Sequence, residues 1–272
     1  MSDPRALFDL SGRVAVVTGA AGILGQHFVA GLVAHGARVA AFDLNEDALQ
    51  RLVASADGGH GGTIVPIACD IRDKAALTAT VERVERDLGP IDILHNNAAT
   101  KGGDLAAFFA DIEDYSEATW REIMSVNIDA MFFVAQAVGS RMARRRRGSI
   151  IQTGSIYGLM GPDSRIYEGS EYLGRQINTP PVYAASKAAV VGLTKYLAAM
   201  WGNDQVRVNT LVPGGVSSGQ NETFDAKYSA RVPLRRMAQP QEMVGALIYL
   251  ASDASSYVTG QTLVVDGGLS AW

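Results

Sequence analysis

The chain has 272 residues, 47% of them apolar, a formal charge of −4 and one cysteine, Cys69. That length suits one large α/β domain or two small ones, with apolar residues enough for a sizeable core. The charge gives no reason to expect nucleic-acid binding, and the lone cysteine excludes an internal disulfide and fits a reducing compartment.

Met1–Leu10 carries acids and a proline where a signal peptide would carry a basic start and an apolar stretch, so none is expected. No uninterrupted apolar run approaches the roughly 20 residues of a membrane span, and the expected setting is the cytoplasm, away from membranes. Arg13–Val17 reads as a strand and Ile23–His35 as a helix that ends at Gly36. Arg38–Phe42 is the next strand, and Asn45 can cap a helix to about Ser55. Asp57–Gly62 is a glycine-rich turn, Thr63–Ala68 a third strand, and Lys74–Leu88 a helix closed by Gly89-Pro90. Ile91–His95 is a strand and Glu117–Arg145 a long helix, whose arginine run Arg144–Arg147 reads as a solvated helix end, where cations oppose the dipole. Ile150–Thr153, Val206–Val212 and Thr262–Val265 are strands, and Tyr183–Trp201 and Gln241–Ser252 are helices.

This alternation of apolar strands and amphipathic helices predicts a single-domain α/β Rossmann fold. Its core would be a doubly wound parallel sheet of about seven strands with helices on both faces. Such sheets bind ligands at the carboxyl ends of their strands. Two stretches break the rhythm there, Gly158–Pro180 and Gly214–Pro233, and both are expected to overhang the crevice as substrate lids.

Thr18-Gly19-Ala20-Ala21-Gly22-Ile23-Leu24-Gly25 follows a strand and opens a helix. A dinucleotide pyrophosphate needs such a turn, because the helix N-terminus offers unpaired N–H groups and about half a positive charge. Asp43 ends the second strand, 24 residues after Gly19. A carboxylate there can accept from both adenosine ribose hydroxyls and would repel a 2′-phosphate. No lysine or arginine stands at Ala20, Ala21, Leu44 or Asn45 to offset that repulsion, so NAD is favoured over NADP. The alternative for Asp43 is a turn or capping role. No metal is expected.

Tyr183-Ala184-Ala185-Ser186-Lys187 places a phenol and an ammonium on one helix face. A phenol titrates near 10, too high for a good base at neutral pH. A unit positive charge about 4 Å away, at an effective dielectric of about 20, is worth roughly 4 kcal/mol, or about three pKa units. Lys187 is therefore expected to lower Tyr183 toward neutrality.

With these motifs the chain resembles the short-chain dehydrogenase/reductase family over nearly all its length. The resemblance rests on the glycine turn, Cys69-Asp70, Asn96-Asn97-Ala98-Ala99, Asn127, Ser155, Tyr183 with Lys187, Pro213-Gly214 and Val265-Asp266-Gly267-Gly268. It implies that Asp70 and Ile71 bracket the adenine, that Asn97, Ala98 and Ala99 line the cofactor ribose, and that Pro213, Gly214 and Val216, with Ser218 beyond, meet the nicotinamide amide. Ser155 would hydrogen-bond the substrate oxygen, and Asn127 would anchor a water that relays protons through Lys187. Departures from the family pattern are Ile23 where shorter members carry glycine, Ala99 in place of glycine, and Ser217-Ser218 where a threonine is usual. The family also implies a homotetramer, with the long helices at one interface and the C-terminal strand at the other.

Ser155 and Tyr183 lie 28 residues apart, a longer interval than family members commonly have. The extra segment is rich in charge and poor in large aliphatics, unlike a steroid or acyl pocket. Arg165 or Arg175 would clamp an anionic group, and Tyr157, Tyr167 and Gln152 would meet hydroxyls. The expected substrate is a small molecule, a sugar, sugar acid or other polar polyol. The alternatives are a 3-oxoacyl- or steroid-type reductase, a nucleotide-sugar-modifying enzyme, and a scaffold that binds NAD without turnover. His95 and Cys69 read as core residues.

Overall fold

The computed structural model describes residues 3–55, 61–172 and 174–272. In chain order the first elements are β1 (Val14–Thr18), α1 (Gly25–Ala34), β2 (Arg38–Asp43), α2 (Glu46–Ala54), β3 (Thr63–Ala68), α3 (Lys74–Leu88) and β4 (Ile91–Asn96). Then come α4 (Leu105–Phe108), α5 (Glu117–Met124), α6 (Met131–Arg145) and β5 (Gly148–Thr153). A two-stranded hairpin follows, β6 (Glu171–Tyr172) and β7 (Arg175–Gln176). Next are α7 (Pro181–Trp201), β8 (Val206–Pro213), α8 (Glu222–Arg231), α9 (Val244–Ala251) and β9 (Thr262–Val265). Most of the expected turn at 57–62 lies outside the described residues.

Seven strands form one sheet in the order β3-β2-β1-β4-β5-β8-β9, with every neighbouring pair parallel. Side chains alternate across it. Val14 and Val16 of β1 join the core under α3, α6 and α7, whereas Ala15 and Val17 join the core under α1 and α9. Both faces are covered, which is why β1 is buried at every position and reads as an unbroken apolar run. The strand order reverses between β1 and β4, and the crevice opens at the carboxyl ends there.

Local chemistry sets the element ends. Asn45 caps α2 by accepting the Ala48 N–H at 2.9 Å, and Asp73 caps α3 through the N–H groups of Ala75 and Ala76. Gly36 and Gly89 follow α1 and α3 with φ of 92° and 97°, where a side chain is strained. The expected long helix is present, but Ser125–Ala130 between α5 and α6 is π-helical, with Asn127 fully buried inside it. On length and composition Glu117–Arg145 could cross a membrane. Here its residues Ile123, Met131, Val134, Val138 and Met142 are packed in the protein core. The arginine run is solvated as expected at Arg144, Arg146 and Arg147, while Arg145 is partly buried and pairs with Glu85 at 2.7 Å.

The two lid segments pack on each other. Ile166, Tyr167 and Ile177 of the first and Phe224, Tyr228 and Val232 of the second share one buried cluster. Tyr167 stacks on Phe224, and Phe224 on Tyr228, with centroids 5.8 and 5.6 Å apart. The helix α8 inside the second lid was not foreseen; Asn221 starts it by accepting the Phe224 N–H at 3.0 Å.

Gly25 tests the tight junction between β1 and α1. A Cβ there would lie 2.0 Å from the Gly19 carbonyl oxygen, whereas one at Gly103 would meet nothing within 4 Å. Gly25→Ala is expected to cost about 1–3 kcal/mol of unfolding free energy, measured by urea denaturation. Gly103→Ala should stay within about 0.5 kcal/mol of the parent.

Candidate active site

At the end of β1 the chain turns through Gly19, whose φ is 62° and which sits so close to Ala98 that a Cβ would lie 2.9 Å from the Ala98 Cα. The loop after β4 holds this turn. Thr18 Oγ1 accepts the N–H groups of Asn97 and Ala98, both at 3.0 Å, and Asn97 Nδ2 donates to the carbonyls of Thr18 and Gly19 at 3.2 and 3.3 Å. Leu24 at the N-cap of α1 gives the first turn no side-chain partner; the Gly22 carbonyl takes the Gln26 N–H at 3.1 Å, and the Leu24 and Gly25 N–H groups are left for a ligand. At the end of β2, Asp43 accepts the Ala21 N–H on one oxygen and the Asn45 N–H on the other, each at 3.0 Å. Those bonds fix the carboxylate and leave each oxygen a further lone pair.

A crevice of about 850 Å³ runs along these strand ends. Gly19, Gly22, Ile23, Leu24 and Gly25 line one end, with Asp43, Leu44, Asp70 and Ile71 beside them. Asn97, Ala98 and Ala99 line its middle wall, and Pro213, Gly214, Val216 and Ser218 its far wall. A Cβ on Gly22 would touch only its own turn, at 3.3 Å from the Gly19 oxygen, so its bareness leaves room for a ligand. An uncapped helix N-terminus, a bare glycine turn and a fixed carboxylate suit a nicotinamide dinucleotide.

Ser155, Tyr183 and Lys187 line the same crevice. Ser155 follows β5 and is buried, with its Oγ accepting the Tyr157 N–H at 3.3 Å. Pro181 opens α7, a position where its missing N–H costs nothing, and sets Tyr183 in the first turn. Lys187 is 3% exposed and donates from Nζ to the Thr153 carbonyl at 2.9 Å. Burial pulls Lys187 down to about 8. The expectation that Lys187 lowers the phenol is not met in this arrangement. Burial raises Tyr183, a hydrogen bond with Ser155 pulls the other way, and the Lys187 ammonium lies 5.9 Å from the Tyr183 ring centroid. Asn127 does not line the crevice. It accepts the Thr100 N–H at 2.9 Å and donates to Ser186 Oγ at 3.4 Å, and Ser186 Oγ donates to the Tyr183 carbonyl at 2.9 Å. Asn127 thus ties the loop after β4 to the Tyr183 turn.

A second chamber of about 230 Å³ adjoins, sharing Ser155, Tyr183, Gly214 and Val216 with the crevice. Tyr157 lines it. Tyr167 sits one layer behind, donating to the Tyr157 hydroxyl at 3.2 Å and bonded to Thr179 Oγ1. Gln152 turns under the sheet toward Thr194. Arg165 corrects an expectation: its exposed guanidinium is held by Asp163 at 2.7 Å, and it does not line the chamber. Arg175 is exposed on β7. The walls are also more aromatic than the polar insertion suggests, because Phe108 and Phe109 come from α4 and Phe224 and Tyr228 from α8. Lys101, unforeseen, lines both cavities with its Nζ 3.8 Å from the Tyr172 ring centroid. The available signal was its place in the loop at the carboxyl end of β4. His95 is a buried neutral core residue, pushed down to about 3 by burial, with Nε2 2.9 Å from Thr153 Oγ1.

Residues 19–270 match the family model described as Enoyl-(Acyl carrier protein) reductase. The chain is 37% identical to gluconate 5-dehydrogenase of Gluconobacter oxydans, over 99% of each chain. It is 35% identical to D-threitol dehydrogenase of Mycolicibacterium smegmatis, over 96% of this chain and 94% of that one. The crystal structure of a gluconate 5-dehydrogenase from Burkholderia cenocepacia in complex with NADP and tartrate matches with a TM-score of 0.84, 32% identity and 98% coverage of both chains. The chain belongs to the short-chain dehydrogenase/reductase family, the NAD(P)-dependent oxidoreductases of CH–OH groups.

Burial of Lys187 carries a pH signature. The group titrates at about 8 in the folded chain and near 10.4 when unfolded. Between those values the unfolded chain binds more protons, so this group makes stability rise with pH across that window. Lys187→Met should lose the rise. Urea denaturation at pH 7 and pH 9.5 checks it: the stability of wild type relative to the variant should increase at the higher pH.

Proposed function

We propose that this chain is an NAD-dependent dehydrogenase that interconverts a secondary alcohol and a ketone on a sugar, sugar acid or other small polyol. One observation carries the reading: Ser155, Tyr183 and Lys187 line a single crevice that begins at an uncapped glycine turn and runs into the adjoining chamber. When bound, the nicotinamide would accept or return the hydride and bring a positive charge in its oxidised form.

The chain's own groups handle the proton. Ser155 Oγ and the Tyr183 phenol meet the carbinol oxygen together, Ser155 orienting it and Tyr183 taking its proton during oxidation. Burial alone holds the phenol too high to be a base at neutral pH. The charge of an oxidised nicotinamide would favour the phenolate, so ionisation is coupled to cofactor binding. Asn127 positions the Tyr183 turn through Ser186. Aromatic walls and lids exclude water while the hydride moves.

The NAD preference rests on Asp43, whose oriented carboxylate would accept the ribose hydroxyls and repel a 2′-phosphate. The polyol preference rests on gluconate and threitol dehydrogenases among the relatives and on Tyr157, Asn178, Thr179 and Gln220 around the chamber. The aromatic walls favour a second reading, reduction of a 3-oxoacyl group. A soluble cytoplasmic homotetramer is inferred as the working form; exposed Tyr196 and Met200 on α7 and the outer edge of β9 support it.

Absorbance of NADH at 340 nm, followed over a panel of polyols, sugars, sugar acids and a 3-oxoacyl thioester, tests the reading. Turnover of polyols or sugar acids is expected, and turnover of the thioester alone would replace it. Tyr183→Phe should abolish turnover with NAD affinity within about threefold of wild type, measured by calorimetry. Asp43→Ala should weaken NAD at least about tenfold and narrow the gap to NADP, as expected for losing hydrogen bonds to a charged group.

A further inference from the structure

We propose that Lys101 is the receptor for a carboxylate on the substrate, and that the preferred substrates are therefore sugar acids rather than neutral polyols. The inference rests on the polyol-dehydrogenase reading above and adds the charge of the substrate.

Among the described residues Lys101 is the one cation lining the substrate chamber, and it lines the cofactor crevice as well. Of the lid cations, Arg175 is exposed on β7 outside the chamber, and the others are engaged elsewhere. Arg165 and Arg231 hold Asp163 at 2.7 and 3.4 Å, and Lys227 donates to the carbonyls of Arg165 and Glu168. No carboxylate of the described residues lies within 4 Å of the Lys101 ammonium. The nearby acids have other partners: Glu122 of α5 accepts the Gly103 N–H at 3.0 Å, and Asp104 caps α4 through the Ala106 and Ala107 N–H groups.

The ammonium rests instead over the face of Tyr172, 3.8 Å from the centroid. A ring face holds a cation by its quadrupole without neutralising it, and it leaves N–H donors free on the other side. Lys101 is exposed where the two cavities meet, so its ammonium is open to an incoming ligand. A cation held over a ring face and lacking an anionic partner gains from an incoming carboxylate. Tyr172 is itself held at the second lid, bridged through its backbone to Gln220. Lid packing therefore decides where the ammonium stands. The chamber carries Ser155 and Tyr183 on one wall and Lys101 on another, so a short-chain hydroxy acid can present its carbinol to the first pair and its carboxylate to Lys101.

The test compares wild type, Lys101→Met and Lys101→Arg with NAD on aldonates of four to six carbons, each paired with the neutral alditol of equal length. Lys101→Met should raise KM for the acids about ten- to a hundred-fold, in line with losing one charge-assisted contact, and move KM for the alditols less than about threefold. Lys101→Arg should keep the acids within about fivefold of wild type. If Lys101→Met changes acids and alditols equally, or neither, the inference is wrong while the dehydrogenase reading stands. If wild type oxidises alditols but no acid, the inference also fails alone. If it oxidises neither class, the underlying reading fails with it.

Discussion

The hydrogen bond from Lys187 to the Thr153 carbonyl is the interaction on which the site depends. An ammonium buried to this degree is unfavourable unless its donors are met, and here a neutral backbone carbonyl meets one of them. The bond fastens α7 to the end of β5. The strand end and the helix touch closely: a Cβ at Gly158 would come 2.5 Å from the Lys187 backbone, and one at Gly154 2.9 Å from Thr210 and Val212. With α7 held there, Tyr183 one turn earlier faces Ser155 across the crevice. The catalytic geometry is thus a consequence of strand-to-helix packing.

The other half of the site is built by the loop after β4. Asn97 reaches back to the carbonyls of Thr18 and Gly19, and Thr18 answers with its hydroxyl. Thr153 Oγ1 donates to Asn97 Oδ1 at 3.3 Å, which links the cofactor turn to the residue that also holds Lys187. The glycine turn and the Tyr183–Lys187 end of the crevice are therefore joined through a few side chains at the carboxyl ends of three neighbouring strands. The two segments expected as lids pack against each other beside the crevice. Their stacked aromatic rings, with Lys227 bonded to two carbonyls of the opposite segment, bind them into one cover.

Much of this was legible in the sequence because periodicity and punctuation are local signals. Strands Thr63–Ala68 and Thr262–Val265 and helix Lys74–Leu88 have the bounds that the apolar pattern suggests. The crevice was legible for the same reason, since the residues expected to hold a cofactor line it, most of them at or just beyond strand ends and Tyr183 and Lys187 on α7. What failed was tertiary in origin. Arg165 was a reasonable clamp until Asp163, two residues away, captured it. Beside Tyr157 and Tyr172, the chamber takes Phe108 and Phe109 from the end of α4 and Phe224 and Tyr228 from α8, segments that do not adjoin the Ser155–Tyr183 interval, so the composition of that interval could not report those four rings. The π-helical stretch around Asn127 has no pattern of its own, and Lys101 gained meaning only when Tyr172 came to lie beneath it. The phenol's shift depends on burial, which no spacing rule states.

Taken with its relatives, the chain couples a dehydrogenase crevice to a chamber whose walls are aromatic and whose polar groups are few. Such a chamber selects by shape and by a few hydrogen bonds, which suits a small polyhydroxylated molecule held against ring faces. The account stands or falls on one oxygen atom meeting two side chains. A crystal structure with NAD and a slowly oxidised polyol or sugar acid is the most direct test. The account predicts the carbinol oxygen within hydrogen-bond reach of both Ser155 Oγ and the Tyr183 hydroxyl; an oxygen bound beyond the reach of either would contradict it.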